Sequence, residues 1–293
     1  MSSQILTTIF PPLKTSQYEH PHTHTLIFLH GRGDKIPSFL AGLSAWESSP
    51  TTPPPSPGLS DQEPAALTLR TAFPTFRLVF PRAPLRIVAA VAAQGERLEW
   101  NQWFDVWNTN DFSDNEELQA EGLKESVSGI REIIRQEAEK LGGRYDRIVL
   151  AGISMGGATS IHTLFNLEKP IGAFLGFCCR CPFAGSKKTL EEMRAVLGLP
   201  GTPQGNEVLK KTPVLLEHCI DDPLVKIKSG RTLRRVLVGL GAERLEWKEY
   251  ETGGHWFKAP DGMDDVISFM RKNVLEVLEI LDSGSDEDVD MDI

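Results

Sequence analysis

The chain has 293 residues, 40% of them hydrophobic, with 31 lysines and arginines against 40 aspartates and glutamates, for a formal charge of −9. This length holds one large domain or two small ones, and the acidic balance argues against a general nucleic-acid or anionic-membrane binder. No stretch approaches the roughly 20 apolar residues needed to span a bilayer, and residues 1–14 carry Pro11 and Pro12 where a signal peptide needs its apolar run.

In chain order, residues 1–23 read as an N-terminal extension. Spanning its end, His20-Pro21-His22-Thr23-His24 has no acidic or thiol ligands clustered beside it, so it reads as an exposed lead-in to the first strand rather than a metal site. Residues 25–29 (TLIFL) are a continuous apolar run, the pattern of a strand buried on both faces. Residues 43–66 hold Pro50, Pro53, Pro54, Pro55, Pro57 and Pro64 among serines and threonines, and read as an irregular surface insertion. A short strand at residues 77–80 is stopped by Pro81, and an aromatic-rich loop follows at residues 100–107 (WNQWFDVW).

Ser113-Asp114-Asn115-Glu116 has the form of a capping box opening a long helix. In that helix Leu118, Leu123, Val127, Ile130, Ile134, Ala138 and Leu141 recur at helical spacing until Gly142-Gly143. Strands are predicted at residues 148–150, 171–177, 213–217 and, alternating as at a sheet edge, 245–250. Helices are predicted over residues 158–167, 229–241 and 261–281. The repeating β-α order implies an α/β fold, a mostly parallel sheet with helices on both faces, built as a single domain over residues 24–281. The tail, residues 282–293, is acidic and poor in apolar residues, the composition of a disordered segment.

The most informative stretch is Ile148-Val149-Leu150-Ala151-Gly152-Ile153-Ser154-Met155-Gly156-Gly157, which contains G-x-S-x-G between a predicted strand and a predicted helix. In that context the motif marks a nucleophile elbow, with Ser154 at the apex of a turn too tight for side chains at Gly152 and Gly156. A serine hydroxyl is a poor nucleophile at neutral pH and needs a base, and the base needs an acid to orient it. The expected chain order is Ser, then Asp or Glu, then His, each on a loop after a strand.

Three histidines follow the elbow. His162 falls within the helix after the serine, and His218 ends a strand whose loop acids, Asp221 and Asp222, come after it rather than before. His255, in Glu251-Thr252-Gly253-Gly254-His255, lies after the alternating strand and before the last helix, where the base belongs. In the loop from His218 to Val225, Asp222 precedes proline and is biased to an extended conformation, which makes it the preferred acid; Asp221 is the alternative. For the oxyanion, the backbone N–H of Met155 is one donor, and the glycine-flanked loop His30-Gly31-Arg32-Gly33-Asp34 offers the N–H of Arg32 as the second. Trp103, Phe104 and Trp107 either wall an acyl pocket or pack in the core.

These residues carry a resemblance. Phe28-Leu29-His30-Gly31-Arg32-Gly33-Asp34, Phe80-Pro81-Arg82-Ala83-Pro84, Trp103-Phe104-Asp105, Gly152-Ile153-Ser154-Met155-Gly156-Gly157, Asp222-Pro223-Leu224-Val225 and Gly254-His255 occur in the order of the acyl-protein thioesterase, lysophospholipase and carboxylesterase family of small α/β-hydrolases, which the chain resembles over residues 24–275. The resemblance implies hydrolysis of acyl esters or thioesters in the cytoplasm, or in the nucleus, without a metal or organic cofactor. Ser154 is then nucleophile, His255 base and Asp222 its orienter. The substrate class it implies includes S-acylated proteins and lysophospholipids, with transient contact at a membrane surface; a general carboxylesterase for small esters is the alternative. A hydrolase-fold binding protein that has lost catalysis is a further reading, opposed by the intact Ser-Asp-His order. The chain departs from the family pattern at Cys219, usually Gly, and Met155, usually Gln, and in Cys178-Cys179-Arg180-Cys181. Cys178 and Cys181 form a C-x-x-C without a second pair, so the four cysteines read as reduced, structural thiols.

Overall fold

The computed structural model describes residues 5–15, 18–51 and 64–276. Among the described residues nine strands occur: β1 (Thr7–Phe10), β2 (His24–Leu29), β3 (Phe76–Pro81), β4 (Leu85–Ile87), β5 (Glu99–Asn101), β6 (Ile148–Ile153), β7 (Ala173–Phe177), β8 (Val214–Cys219) and β9 (Leu245–Tyr250). Seven form one sheet in the order β1-β3-β2-β6-β7-β8-β9, while β4 and β5 pair as a separate antiparallel hairpin. Every neighbouring pair in the large sheet is parallel except β1 with β3.

β2, β6, β7 and β8 are buried along their whole lengths, which accounts for their apolar runs; the polar residues among them, His24 and Thr25 in β2 and Glu217 and His218 in β8, lie at the strand ends. Alternate residues feed opposite faces. Ile27, Leu29, Leu150, Phe174 and Leu216 pack with the helices Gln119–Lys140, Met155–Phe165, Leu190–Leu197 and Ile227–Gly239. Leu26, Phe28, Val149, Ala151, Leu175 and Leu215 pack with Ile36–Ser44 and Asp261–Met270 on the other face. This is the two-sided parallel architecture that the β-α order implies.

Several local expectations are corrected. The extension over residues 1–23 is not outside the sheet: Thr7–Phe10 pairs antiparallel with β3, and Pro81, read as the stop of that strand, lies opposite Thr7 within it. Proline is tolerated in β3 where it pairs with an edge strand. The insertion at residues 43–66 is anchored at both ends. Trp46 is buried, stacks on Phe257 and donates its indole N–H to the Lys258 carbonyl; Ser49 binds Asp264, and Thr51 bridges Ala65. Residues 52–63, and the acidic tail at residues 282–293, lie outside the described residues.

The capping box at Ser113–Glu116 does not form. Asn115 is left-handed at φ 48°, a 3-10 turn Glu116–Leu118 precedes the helix Gln119–Lys140, and the Glu116 carboxylate accepts the backbone N–H of Phe183 instead. The last helix is regular over Asp261–Met270 and widens into a π turn at Arg271–Leu275. No helix among the described residues is long and apolar enough to cross a membrane.

Glu137, 3% exposed on the long helix, ties that helix to the sheet: it accepts from Arg77 Nε of β3 at 2.9 Å and Thr25 Oγ1 of β2 at 3.2 Å, and pairs with Lys140. Removing one member of a buried ion pair leaves the other uncompensated. Glu137→Ala is therefore expected to cost roughly 3 kcal/mol in urea denaturation, and Glu137→Gln distinctly less. Equal stability of both variants and the wild type would show that this tie contributes nothing.

Candidate active site

β6 ends at Ile153 and the helix Met155–Phe165 begins one residue after Ser154, so the whole strand-to-helix reversal falls on that serine. Its φ of 56° with ψ of −122° is a conformation that L-residues adopt only under constraint. The constraint is close approach. A Cβ on Gly152 would lie 2.6 Å from the backbone of Gly156 and Gly157, and one on Gly156 would lie 2.4 Å from the Leu29 carbonyl oxygen. The Ser154 N–H donates to the Phe177 carbonyl at 2.9 Å, and its own carbonyl accepts the N–H of Ala158 at 3.0 Å.

Asp222 and His255 come from the loops after β8 and β9. The Asp222 carboxylate is acceptor-only when ionised, so the 2.8 Å contact between its Oδ2 and His255 Nδ1 places a proton on Nδ1. The basic lone pair of neutral His255 is then Nε2, the arrangement a general base needs. Asp222 Oδ1 accepts the N–H groups of Leu224 and Val225 at 2.8 and 2.9 Å. Burial alone would push this carboxyl up; the hydrogen bonds from His218 and His255, the charge of His255 and the Val225 amide outweigh it and hold the group well below the usual carboxylate range.

Asp221, the alternative acid, does not meet the histidine. Its two oxygens accept the N–H groups of Gly253 and Gly254, at 3.2 and 2.8 Å, and so fasten the loop that carries His255. His218 is a supporting residue that the sequence reading passed over. Buried at the end of β8, it donates Nε2–H to the Val225 carbonyl at 2.7 Å and approaches Asp222 Oδ2 at 3.4 Å. The signal was its place in the strand, two residues before the loop that it braces. His162 is fully buried within its helix, with Nε2 on the Pro182 carbonyl, away from this cluster.

A cavity of about 690 Å³ opens beside Ser154 and is lined by His255, Arg32 and Met155 among others. The loop holding Arg32 is fixed from both sides. The Gly31 N–H donates to Asp34 Oδ2, the Gly33 N–H to the Asn101 carbonyl, and the buried His30 ring bridges the Gly31 carbonyl and the Ala83 N–H. A Cβ on Gly31 would come within 3.6 Å of Ser154 Cβ, which places this loop directly against the serine. Met155 heads its helix, where first-turn N–H groups have no intrahelical acceptor.

Of the three aromatic candidates, Phe104 lines the cavity, and Trp103 and Trp107 do not. Trp103 is fully buried and donates its indole N–H to the His30 carbonyl at 2.9 Å, which makes it a support of the Arg32 loop rather than a pocket wall. Trp100, from β5, takes the lining position, with the Arg32 guanidinium 4.8 Å above its ring.

All four cysteines are free thiols. Cys178 is left-handed at φ 44°, and its Sγ lies 3.5 Å from the Trp256 carbonyl and 4.0 Å from that of Gly254, bracketing His255. Cys178 Sγ, an Asp222 oxygen and a His255 nitrogen lie within 4.8 Å of one another, a spacing a soft metal ion can bridge. The donor set fits poorly, because the Asp222 oxygens already accept from Leu224, Val225 and His255. Burial raises the thiols of Cys179 and Cys181, the latter to about 12, as expected of packing groups rather than nucleophiles.

A serine elbow on a doubly covered parallel sheet, with an Asp–His pair on later strand-end loops, defines the α/β-hydrolase fold. Residues 58–274 match the phospholipase/carboxylesterase family, and the chain belongs to it. Acyl-protein thioesterase 1 of Gibberella zeae is 27% identical over 277 residues, 93% of this chain and 97% of that protein. Acyl-protein thioesterase 1 of Saccharomyces cerevisiae is 27% identical over 267 residues, covering 89% and 98%. Among solved structures, Zea mays acyl-protein thioesterase 2 superposes with a TM-score of 0.64 at 20% identity, over 92% of this chain and 99% of that one. The Bacillus cereus carboxylesterase gives 0.53 at 14% identity, over 92% and 95%.

The depressed Asp222 carboxyl has a pH signature. Its folded value lies below the ordinary value near 4, so its ionised form stabilises the native state in full above about pH 4, and the contribution is lost as pH falls through the folded value. The stability gap between wild type and Asp222→Asn, followed by urea denaturation, is expected to stay flat from about pH 7 to about pH 5 and to narrow below about pH 4. A gap that widens on acidification would contradict the carboxylate environment described.

Proposed function

We propose that the protein is a serine hydrolase that cleaves acyl esters or thioesters through an acyl-enzyme intermediate. The observation that carries this reading is the Nδ1-protonated His255, held on Asp222 and sharing one cavity with the strained Ser154. Ser154 Oγ attacks the carbonyl carbon as His255 Nε2 takes its proton. The N–H groups of Arg32 and Met155 receive the charge that develops on the carbonyl oxygen. His255 then returns the proton to the departing thiolate or alkoxide, and water repeats the sequence on the acyl group. No step calls on a metal or an organic cofactor.

For the substrate we favour a lipid-type acyl group, as in an S-acylated protein or a lysophospholipid, met by transient contact with a membrane surface. Exposed apolar side chains near the cavity support this. Trp100 of the β4–β5 hairpin and Leu224 after Asp222, 39% and 62% exposed, line the cavity, and Leu85 and Ile87, 67% and 45% exposed, stand on the other face of the same hairpin. Such clustering of exposed apolar side chains is uncommon except where a partner or a lipid covers them. A cytoplasmic or nuclear location agrees with four free thiols. A general carboxylesterase for small esters is the second reading, favoured by the openness of the same cavity to solvent.

Ser154→Ala is expected to lower kcat/KM for p-nitrophenyl butyrate by at least about 10³-fold and to abolish fluorophosphonate labelling. Full activity in that variant would refute the assignment of the nucleophile, and a folded wild type that never labels would point to a non-catalytic binding protein. A chain-length series from acetate to palmitate beside an S-palmitoyl peptide separates the two substrate readings. In Leu85→Glu/Ile87→Glu, the rate on a vesicle-held palmitoyl substrate relative to soluble butyrate is expected to fall roughly tenfold. An unchanged ratio would remove the hairpin from substrate capture.

A further inference from the structure

The cavity beside Ser154 has a charge opposite to that of the chain as a whole. The protein is acidic, with a net charge of −9, yet Arg32, Arg180 and Lys226 all line this cavity against a single acid, Asp34. None of the three has a carboxylate within ion-pair distance among the described residues; Arg32 Nε and Arg180 Nη2 are held by the uncharged Gln102 and Gln119. Elsewhere arginines are matched to acids, as in Arg77 with Glu137, Arg131 with Glu168 and Arg231 with Glu249.

Arg180 is the informative member because it is only 8% exposed. It follows β7 in the Cys178-Cys179-Arg180-Cys181 segment, where the chain departs from the family pattern. Its guanidinium stacks 4.1 Å above Phe112 and 5.9 Å from the Phe104 ring, and Nη2 donates to Gln119 Oε1 at 2.7 Å. Among the described residues its remaining N–H groups have no protein acceptor, they are not sealed from open space, and the space that the residue lines is the cavity. The acid that most affects it is Glu116, whose oxygens are committed to the Phe183 N–H at 2.7 Å and the Ser186 hydroxyl at 3.3 Å. Burial lowers the guanidinium to about 10, which leaves it cationic at neutral pH.

An aromatic cradle and a glutamine orient this cation without neutralising it. A charge taken so far from water is costly unless something of opposite sign completes it. A guanidinium with free N–H groups in a fixed plane matches a carboxylate or phosphate in particular.

We propose that the substrate carries an oxyanion group, carboxylate or phosphate, away from its scissile carbonyl, and that Arg180 receives it on the cavity wall while Arg32 and Lys226 raise the local positive potential. This rests on the hydrolase reading and narrows its substrate class. Arg180 acts as a specificity-determining residue, remote from the bonds that change.

Two matched pairs test the proposal. S-glutaryl and S-pentanoyl N-acetylcysteamine differ by a carboxylate on the acyl side; the pentanoate esters of glycerol phosphate and of glycerol differ by a phosphate on the alcohol side. The wild type is expected to prefer the anionic member of one pair by at least about tenfold in kcat/KM, and the pair that responds locates the oxyanion. Arg180→Met should reduce that preference roughly 10–100-fold, and Arg180→Lys should keep part of it. Each ratio is taken within one protein, so partial loss of fold or of catalysis cancels. If Arg180→Met does not fold, the wild-type ratios and Arg180→Lys still decide. No anionic preference in either pair, with p-nitrophenyl butyrate still hydrolysed, overturns this inference and leaves the hydrolase reading standing; so does a preference that survives Arg180→Met. Absence of any hydrolysis and of fluorophosphonate labelling overturns both.

Discussion

The approach of Gly156 to the end of β2 is the constraint on which the site depends. With room for no Cβ between the elbow and the Leu29 and His30 carbonyls, the first turn of the Met155–Phe165 helix sits directly on the β2 strand end. Two loops more than a hundred residues apart in sequence are thereby pressed together. The turn that strains Ser154 and the loop that offers the Arg32 N–H meet at one point. In the proposed reaction neither works alone: the elbow presents a hydroxyl, and the neighbouring loop supplies the polar surroundings in which charge can develop on a substrate oxygen.

A second layer holds those parts in register. Asp222 accepts from four directions, and two of its donors, Leu224 and Val225, belong to its own loop, so the carboxylate is set before it meets His255. Asp221 clamps the glycines beside His255, and Cys178 packs its thiol against the carbonyls on either side of that residue. Trp103 does the same for the Arg32 loop through the His30 carbonyl. Each reacting group proposed here is thus held by a neighbour whose own position comes from a strand end or from the core, the arrangement that keeps catalytic geometry within tolerance.

What the sequence disclosed followed from where the signal was strong. Buried parallel strands carry apolar runs, so most of β2, β6, β7 and β8 is legible, and the G-x-S-x-G turn is legible because its glycines answer to a steric need. β1 and the β4–β5 hairpin are not, because they are short and face solvent, with no periodicity to distinguish them from loop. Of the two adjacent acids, Asp222, the one before proline, meets His255, while Asp221 binds the neighbouring glycines. Side-chain direction in irregular segments was the weakest inference. Glu116 has the spacing of a cap but binds the Phe183 N–H, and Trp103, adjacent to the cavity-lining Phe104, turns instead to the His30 carbonyl. Arg180 sits inside a C-x-x-C that gives it no role of its own; only its surroundings, with no carboxylate at ion-pair distance among the described residues, bring it to notice.

The wide separation of the site's parts along the chain has a consequence for folding. Arg32 belongs to the first parallel strand end and His255 to the last, with every crossover helix of the sheet between them. Contacts of such long sequence separation form late, after most loop-closure entropy has been lost. No fragment ending before β9 contains the site. A nascent or proteolysed chain therefore passes through its aggregation-prone intermediates chemically silent, and hydrolytic competence appears only with completion of the sheet.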